Sequence, residues 1–100
     1  MILPVVWSPT AKEEYALLLD YVETHFGTNA ALKLLDKTED TVERIAAFPN
    51  AFPASETRPD LHKAVITEQT SLLYRVTATQ IQLLYFWDNR QDPERLLDLL

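Results

Sequence analysis

The chain has 100 residues, of which 47% are hydrophobic and 24% charged, a composition typical of a folded protein and not of a disordered segment. We predict a single domain over residues 1–100, since this length suits one hydrophobic core. The chain contains no cysteine, which excludes a disulfide framework, a thiolate metal site and a cysteine nucleophile. The net charge of −6 argues against sequence-independent binding to free nucleic acid, which normally depends on a basic surface.

Two further absences concern location and cofactors. No apolar run approaches the roughly 18 residues that a membrane-spanning helix needs, and the opening MILPVVWSPT lacks the positive charge of a signal peptide. These features favour a cytoplasmic protein with no membrane partner. The two histidines, His25 and His62, show no metal-ligand spacing. We therefore expect neither a metal nor a cofactor.

The first half of the chain predicts an edge strand and two helices. Residues 2–7 are β-prone, and their proline suits an edge strand because proline cannot donate a ladder hydrogen bond. Ser8 supplies a helix N-cap with a proline directly after it, and apolar residues at helical spacing continue to Gly27, the only glycine, at the C-cap. A second helix, which Thr28 or Asn29 can cap, completes an antiparallel αα-hairpin.

The second half predicts a loop followed by a β-meander. Residues 48–60, FPNAFPASETRPD, hold three of the six prolines and form the predicted loop. Three β-rich runs follow, LHKAVIT, TSLLYRVT and IQLLYFW, separated by short polar segments typical of antiparallel turns. Strict alternation in the last run gives one face Ile81, Leu83, Tyr85 and Trp87 and the other face Gln82, Leu84 and Phe86. Because both faces are largely apolar, this run should be a central strand.

The end of the chain predicts one more element. Pro93 and the residues after it, ERLLDLL, indicate a short C-terminal helix. The predicted order is therefore one strand, two helices, three strands and a final helix. An antiparallel sheet with a helical hairpin packed on one face is an α+β fold.

This order, together with several local sequences, resembles the RelE/ParE family of toxins from type II toxin–antitoxin systems, also called the plasmid stabilisation protein family. The resemblance lies in the opening VVWSPTAKEEYALLLDYV, the FP-containing loop, the segment LLYRV and the ending IQLLYFWDNRQDP. It covers nearly the whole chain, although no single motif is diagnostic by itself. It implies a growth-inhibiting cytoplasmic toxin that a cognate antitoxin neutralises by wrapping it with an extended segment and a helix.

The resemblance implies one of two targets. RelE-like members cleave messenger RNA in the ribosomal A site, whereas ParE-like members poison DNA gyrase by binding. Metal-free RNA cleavage needs a base, an acid and cations for the phosphate. The candidates for these roles are Arg58, His62, Lys63, Arg75 and Arg90. Because His62 and Lys63 are neighbours in a predicted strand, they point to opposite faces, and at most one of them can approach a site near Arg90.

Two departures from the RelE-like pattern favour the binding mechanism. Ser71 stands just before the LxY segment, where RelE-like enzymes usually carry an arginine, and the tail ERLLDLL lacks the tyrosine or histidine with which they often end. We therefore expect a toxin that binds a protein target such as gyrase. The alternatives are a ribosome-dependent endoribonuclease and a non-toxic antitoxin-binding module. The pattern is also compatible with a homodimer.

Arg90 allows two interpretations of its own. It follows the aromatic run YFW and is flanked by the carboxylates of Asp88, Asp92 and Glu94. A surface ion pair with one of them would stabilise the fold by only about 0–1 kcal/mol. Alternatively, the strand exit holds this guanidinium out to contact an anion on a target.

Overall fold

A computed structural model describes residues 2–89 as four strands and two helices. The elements are β1 Val5–Trp7, α1 Pro9–Phe26, α2 Thr28–Ala47, β2 Leu61–Val65, β3 Thr70–Val76 and β4 Ile81–Asp88. This order confirms the α+β class, the pair of helices, the loop over residues 48–60 and the three strands after it. Arg90 and the predicted C-terminal helix lie outside the described residues.

The strands form one sheet in the order β1-β4-β3-β2. The meander β2–β3–β4 is antiparallel, and β1 returns as a parallel neighbour of β4, with Val5 opposite Ile81 and Trp7 opposite Leu83. The last strand is thus internal, with a neighbour on each side, while β1 lies at the edge. The edge position of β1 confirms the prediction made from its proline, and the internal position of β4 confirms the prediction made from its two apolar faces.

Ser8 connects the start of α1 to the sheet. Its Oγ accepts a hydrogen bond from the Ala11 N–H at 2.9 Å, which is the predicted N-cap. The same hydroxyl donates to the Leu84 carbonyl at 2.9 Å, and the Ser8 N–H donates to the Leu83 carbonyl at 2.9 Å. One residue therefore caps α1 and fixes its first turn against β4.

Gly27 alone joins α1 to α2. Its backbone has φ 93° and ψ 170°, a combination that is essentially restricted to glycine. Gly27 serves as the C-cap of α1 and the N-cap of α2, and no side chain caps the second helix. The prediction that Thr28 or Asn29 caps α2 is therefore wrong. Because the chain reverses within one residue, Thr28 is already helical and cannot take the cap position.

The core lies between the helices and one face of the sheet. Its buried members come from α1, α2 and the meander, and they include Ala11, Leu34, Ile45, Ala64, Leu72, Tyr74, Ile81, Leu83 and Phe86. The prediction that side chains alternate strictly between the two faces along β4 is wrong beyond Leu83. Leu73 pairs with Tyr85 while Tyr74 pairs with Leu83, so Leu84 is an extra residue, a β-bulge. The bulge puts Phe86, and not Tyr85, into the core.

Three aromatic rings fill the space between β1, α1 and β4. Tyr15 stacks on Phe86 with ring centroids 5.2 Å apart, and Trp7 lies 5.4 Å from Tyr15. The buried Tyr15 hydroxyl has no hydrogen-bond partner among the described residues. Burial raises the pKa of the Tyr15 phenol, and the nearby Thr38 hydroxyl lowers it by a smaller amount. However, Thr38 already donates its proton to the Leu34 carbonyl at 2.8 Å, and no bonding geometry joins it to Tyr15.

Replacing Tyr15 by phenylalanine should therefore raise the free energy of unfolding by about 1 kcal/mol, because it removes a buried, unpaired polar group and keeps the ring. Urea denaturation of the two proteins measures this difference. The exposed Tyr21, changed to phenylalanine in the same way, is the control and should shift stability by less than about 0.5 kcal/mol. A loss of stability on Tyr15→Phe would mean that the hydroxyl is hydrogen-bonded after all.

Candidate functional site

Within residues 2–89, the predicted site residues are divided between the two faces of the sheet and the loop before it, and Arg90 lies outside the described residues. His62 is buried, its Nδ1 lies 2.9 Å from the Phe52 carbonyl, and its ring stacks on Tyr74 with centroids 5.0 Å apart. Since a carbonyl only accepts, Nδ1 carries the proton and donates it to Phe52. His62 thus holds the loop of residues 48–60 against the sheet. The His62 side chain lies on the face of β2 that packs against the core and is not exposed to solvent.

The other candidates lie elsewhere. By strand register Lys63 and Arg75 sit on the sheet face opposite His62, which agrees with the predicted divergence of His62 and Lys63. Arg75 donates from Nε to Asp60 Oδ2 at 3.0 Å, an ion pair in which both side chains are partly exposed. Arg58 lies in the loop before β2, where it is half-buried and engaged in an interaction of its own.

Ser71 belongs to a polar cluster at the end of β4 that sequence reasoning missed. Its hydroxyl is fully buried and donates to Asn89 Oδ1 at 2.8 Å. Asn89 then donates from Nδ2 to the carbonyls of Thr67 at 3.4 Å and Glu68 at 3.2 Å, and from its backbone N–H to the Gln69 carbonyl at 2.8 Å. We call this group the Asn89 clamp. It ties the exit of β4 to the turn between β2 and β3.

The clamp fixes the point at which the chain leaves the sheet toward Arg90. Its partners are 18 to 22 residues apart in sequence, so no local pattern reveals them. The only signal in the sequence is a small polar residue, Ser71, inside an otherwise apolar strand. Only the strand register, which places Ser71 opposite Trp87, shows that Asn89 two residues further on is close enough to bond Ser71.

Replacing Ser71 by alanine is expected to lower the free energy of unfolding by about 1–2 kcal/mol, because the change leaves the Asn89 oxygen without its donor. Equilibrium denaturation measures the effect. Thr57→Ala, which removes an exposed hydroxyl bonded only to Ser55 at 3.2 Å, is the matched control and should cost less than about 0.5 kcal/mol. Equal stabilities of the Ser71 variant and the parent would show that the clamp contributes nothing.

A large groove runs beside the clamp. It has a volume of about 840 Å³ and lies between α1, α2, the last residues of β4 and the β2–β3 turn. Its apolar wall consists of Leu17, Leu18, Tyr21, Val22, Phe26 and Leu34. Leu17, Tyr21 and Phe26 are 62%, 53% and 69% exposed. Isolated exposed apolar residues are common, but a contiguous group in a concave surface indicates a binding site for another molecule. We call this surface the α1–β4 groove.

The charges around the groove are few and clearly placed. Lys33 and Lys37, one turn apart on α2, line it on one side. Glu14 lines it near β4, where its Oε1 accepts a hydrogen bond from the Phe86 N–H at 3.1 Å. Burial raises the pKa of the Glu14 carboxyl, and the Phe86 hydrogen bond opposes that shift only in part. Asp88 at the end of β4 also lines the groove, which therefore combines an apolar wall with two lysines and two carboxylates.

Two features are absent from residues 2–89. No three potential ligand side chains cluster in a way that could hold a metal ion. Neither described helix is long and apolar enough to cross a membrane.

Comparison with known proteins identifies the family. A model of the ParE toxin of type II toxin–antitoxin systems, parDE, matches residues 5–93. The chain belongs to the ParE toxin family. The predicted kinship with RelE/ParE toxins is thereby confirmed, and so is the prediction of a toxin component of a type II toxin–antitoxin system. No curated protein matches this ParE toxin in sequence.

Solved structures agree on the fold of the ParE toxin. The chromosomal ParDE system from P. aeruginosa is similar with a TM-score of 0.72 at 19% identity, covering 87% of this chain and 96% of that one. The YoeB/ParE toxin from Agrobacterium tumefaciens gives 0.64 at 14% identity, with coverages of 87% and 99%. The E. coli DinJ–YafQ toxin–antitoxin complex gives 0.64 at 8% identity, with coverages of 90% and 96%. Complexes of this kind among the neighbours support an antitoxin as partner.

Proposed function

We propose that this ParE toxin arrests growth in the cytoplasm by binding DNA gyrase, and that its cognate antitoxin prevents the arrest. The observation that carries the proposal is the match of residues 5–93 to the ParE toxin family model, because ParE-like toxins are the branch for which the sequence resemblance implies gyrase as the target. Inhibition by binding requires a complementary surface and no catalytic set.

The placement of the candidate side chains also favours binding over RNA cleavage. General acid–base catalysis needs groups within hydrogen-bond reach of one reacting site. Here the His62 ring donates to a loop carbonyl in the interior, and the Arg75 guanidinium is paired with Asp60 on the other sheet face. Ser71 anchors Asn89 at the position where the ribonucleases usually carry a cation.

The antitoxin is proposed to occupy the α1–β4 groove. An amphipathic segment can bury its apolar side against Leu17, Tyr21 and Phe26, which are largely exposed in the toxin alone. Acidic residues on the same segment would meet Lys33 and Lys37. A disordered antitoxin segment that folds on binding can cover a groove of this size.

The decisive experiment applies two assays to one purified sample: inhibition of gyrase supercoiling and ribosome-dependent cleavage of messenger RNA. We expect gyrase inhibition without cleavage, and reversal of that inhibition when the product of the adjoining small open reading frame is added. Cleavage in the ribosomal A site with normal supercoiling would instead support the endoribonuclease. Tight antitoxin binding with neither activity would support a non-toxic module.

Arg90 tests how the toxin contacts its target. If its guanidinium contacts the target, Arg90→Ala should weaken gyrase inhibition by about 10-fold or more while leaving the unfolding curve unchanged, since a lost charged contact costs about 1.5–3 kcal/mol. Arg44→Ala, which removes an exposed arginine at the end of α2, is the control for the change in net charge. Full inhibition by the Arg90 variant would favour a surface ion pair.

A further inference from the structure

A second groove lies on the opposite side of the helical hairpin. It has a volume of about 240 Å³, and within residues 2–89 its lining comes only from α1 and α2. Leu19, Leu32 and Leu35 supply the apolar wall, and the large side chain of Leu32 is 52% exposed. No residue that lines it also lines the α1–β4 groove among these residues. We call this second surface the hairpin groove.

The ionisable side chains that line the hairpin groove are acidic. Asp20 and Glu23, one turn apart on α1, are exposed, and within residues 2–89 their carboxylates have no hydrogen bond or ion pair. No lysine, arginine or histidine of the described part of the chain lines this groove. His25 lies on the other side of α1, where it stacks on Tyr21 with ring centroids 4.1 Å apart. The apolar wall is therefore bordered by two unpaired carboxylates.

The charges around the hairpin groove extend its negative character. On α2 the exposed Asp36 and Glu39 follow one turn after the two leucines of the wall. Lys33 and Lys37 lie on the other side of α2 and line the α1–β4 groove. On α1 the nearest lysine is Lys12, about two turns before the groove begins. The two grooves of one hairpin thus differ in charge, since only the α1–β4 groove is lined by cations.

The shape and charge of the hairpin groove fit side chains of another protein. Its volume is below the roughly 300–1,000 Å³ of small-molecule sites. An apolar wall with an anionic border complements lysine and arginine, whose aliphatic stems pack on apolar surface while their charged ends meet carboxylates. Enzymes that act on DNA carry such residues to contact the phosphate backbone. The net charge of −6, which argues against binding to nucleic acid, therefore suits binding to an enzyme that itself binds DNA.

We propose that the hairpin groove is the surface through which this toxin contacts its target, and that it receives a segment of gyrase in which basic residues alternate with apolar ones. The proposal rests on the proposed function, because it takes gyrase as the target. It adds the surface and the chemistry of the segment bound there. Since the two grooves share no described residue, the target and the antitoxin occupy separate surfaces.

Neutralising the two carboxylates tests the charge of the partner. In Asp20→Asn with Glu23→Gln, we expect the Kd for purified gyrase, measured by surface plasmon resonance, to rise about tenfold at low salt. The rise should be much smaller at about 0.5 M salt, because ions screen exposed charges. Glu56→Gln with Glu68→Gln changes the net charge equally at exposed residues outside both grooves, and should alter Kd less than about twofold. Equal losses in the two pairs would mean that only net charge matters, and the proposal would be wrong.

Replacing Leu32 by glutamine tests the apolar wall. We expect Kd for gyrase to rise about tenfold at both salt concentrations, because salt does not screen an apolar contact. Phe48→Gln is the matched control, since Phe48 is 68% exposed and lines neither groove. Both groove variants should keep the unfolding curve and the antitoxin affinity of wild type. If Leu32→Gln does not fold, the carboxylate pair on the surface of α1 still decides the question.

The outcomes separate this proposal from the proposed function. If wild type binds gyrase and neither groove variant is weaker than its control, gyrase binds another surface and the proposal alone fails. If only Leu32→Gln weakens binding, the groove is used but the basic character of the segment is wrong. If the groove variants lose antitoxin affinity as well, the two surfaces are not separate and the proposal is overturned. If wild type arrests growth without binding gyrase, the proposed target fails and the proposal fails with it.

Discussion

Changing Leu17 and Tyr21 together to glutamate is expected to weaken antitoxin binding at least about a hundredfold and to leave the toxin folded. Both side chains are more than half exposed in the toxin alone, at 62% and 53%, so the new carboxylates would be solvated there. In the complex the same carboxylates would be buried against apolar side chains, which is costly without a partner charge. Central apolar contacts of this type each contribute about 2 kcal/mol or more to binding, or well over tenfold.

Calorimetric titration of the double variant with antitoxin measures the loss, and growth during co-expression gives the biological result. The variant should arrest growth even when the antitoxin is present. Leu32→Glu with Phe48→Glu is the matched control, because these side chains are 52% and 68% exposed and do not line the α1–β4 groove. If both pairs of substitutions leave the affinity unchanged, the antitoxin binds another surface and the role proposed for the α1–β4 groove is wrong.

The parts of the fold that the sequence predicts well are those set by neighbouring residues. The Ser8–Pro9 pair starts α1 where a hydroxyl cap and a proline without an N–H both suit the first turn. Gly27 ends α1 because its positive φ excludes most other residues. The prolines of residues 48–60 prevent regular structure between α2 and the meander. Each of these signals acts over a few residues and needs no knowledge of the rest of the chain.

The bulge at Leu84 shows where such reasoning fails. Residues 83–87 are all apolar, so no polar side chain marks which face of β4 meets the core. The decision comes from distant contacts: Ser8 bonds the carbonyls of both Leu83 and Leu84. Two successive carbonyls of β4 therefore point toward Ser8, and the side chains after them change face. An interaction over 76 residues cannot be deduced from the spacing of apolar positions.

The candidate site was predicted from residue types, and residue types do not reveal burial. His62 was one of the candidates for a catalytic role, but its ring donates to the Phe52 carbonyl and stacks on Tyr74. The first contact depends on how the loop folds back on β2, and the second depends on the pairing of β2 with β3.

The α1–β4 groove was missed because Leu18, Val22 and Phe26 have the helical spacing of a stripe that packs on the core, while Leu17 and Tyr21 lie beside that stripe. Spacing alone does not reveal that Leu17, Tyr21 and Phe26 remain largely exposed in the folded chain.

Replacing Tyr74 by phenylalanine is expected to lower the free energy of unfolding at neutral pH by about 1–2 kcal/mol. Tyr74 is fully buried, and its hydroxyl donates to the Pro49 carbonyl at 2.6 Å. Its ring also stacks on His62 and meets Phe52 edge-on at 6.2 Å, so it anchors the loop at several points. Phenylalanine keeps the ring contacts and leaves the carbonyl without its donor. Chemical denaturation at pH 7 measures the difference.

The same pair of proteins should respond differently to alkaline pH. Burial raises the pKa of the Tyr74 phenol to about 12, from an ordinary value of 10.0 that applies to the unfolded chain. Below pH 10 the phenol is protonated in both states, so its contribution to stability is fully present. Between about pH 10 and 12 only the unfolded chain ionises at this residue, and wild type loses about 2–3 kcal/mol that the phenylalanine variant keeps. The other tyrosines titrate in both proteins and cancel. The two stability curves should therefore approach each other above pH 10 and cross before pH 12, whereas parallel curves would mean that the Tyr74 phenol ionises as if exposed to water.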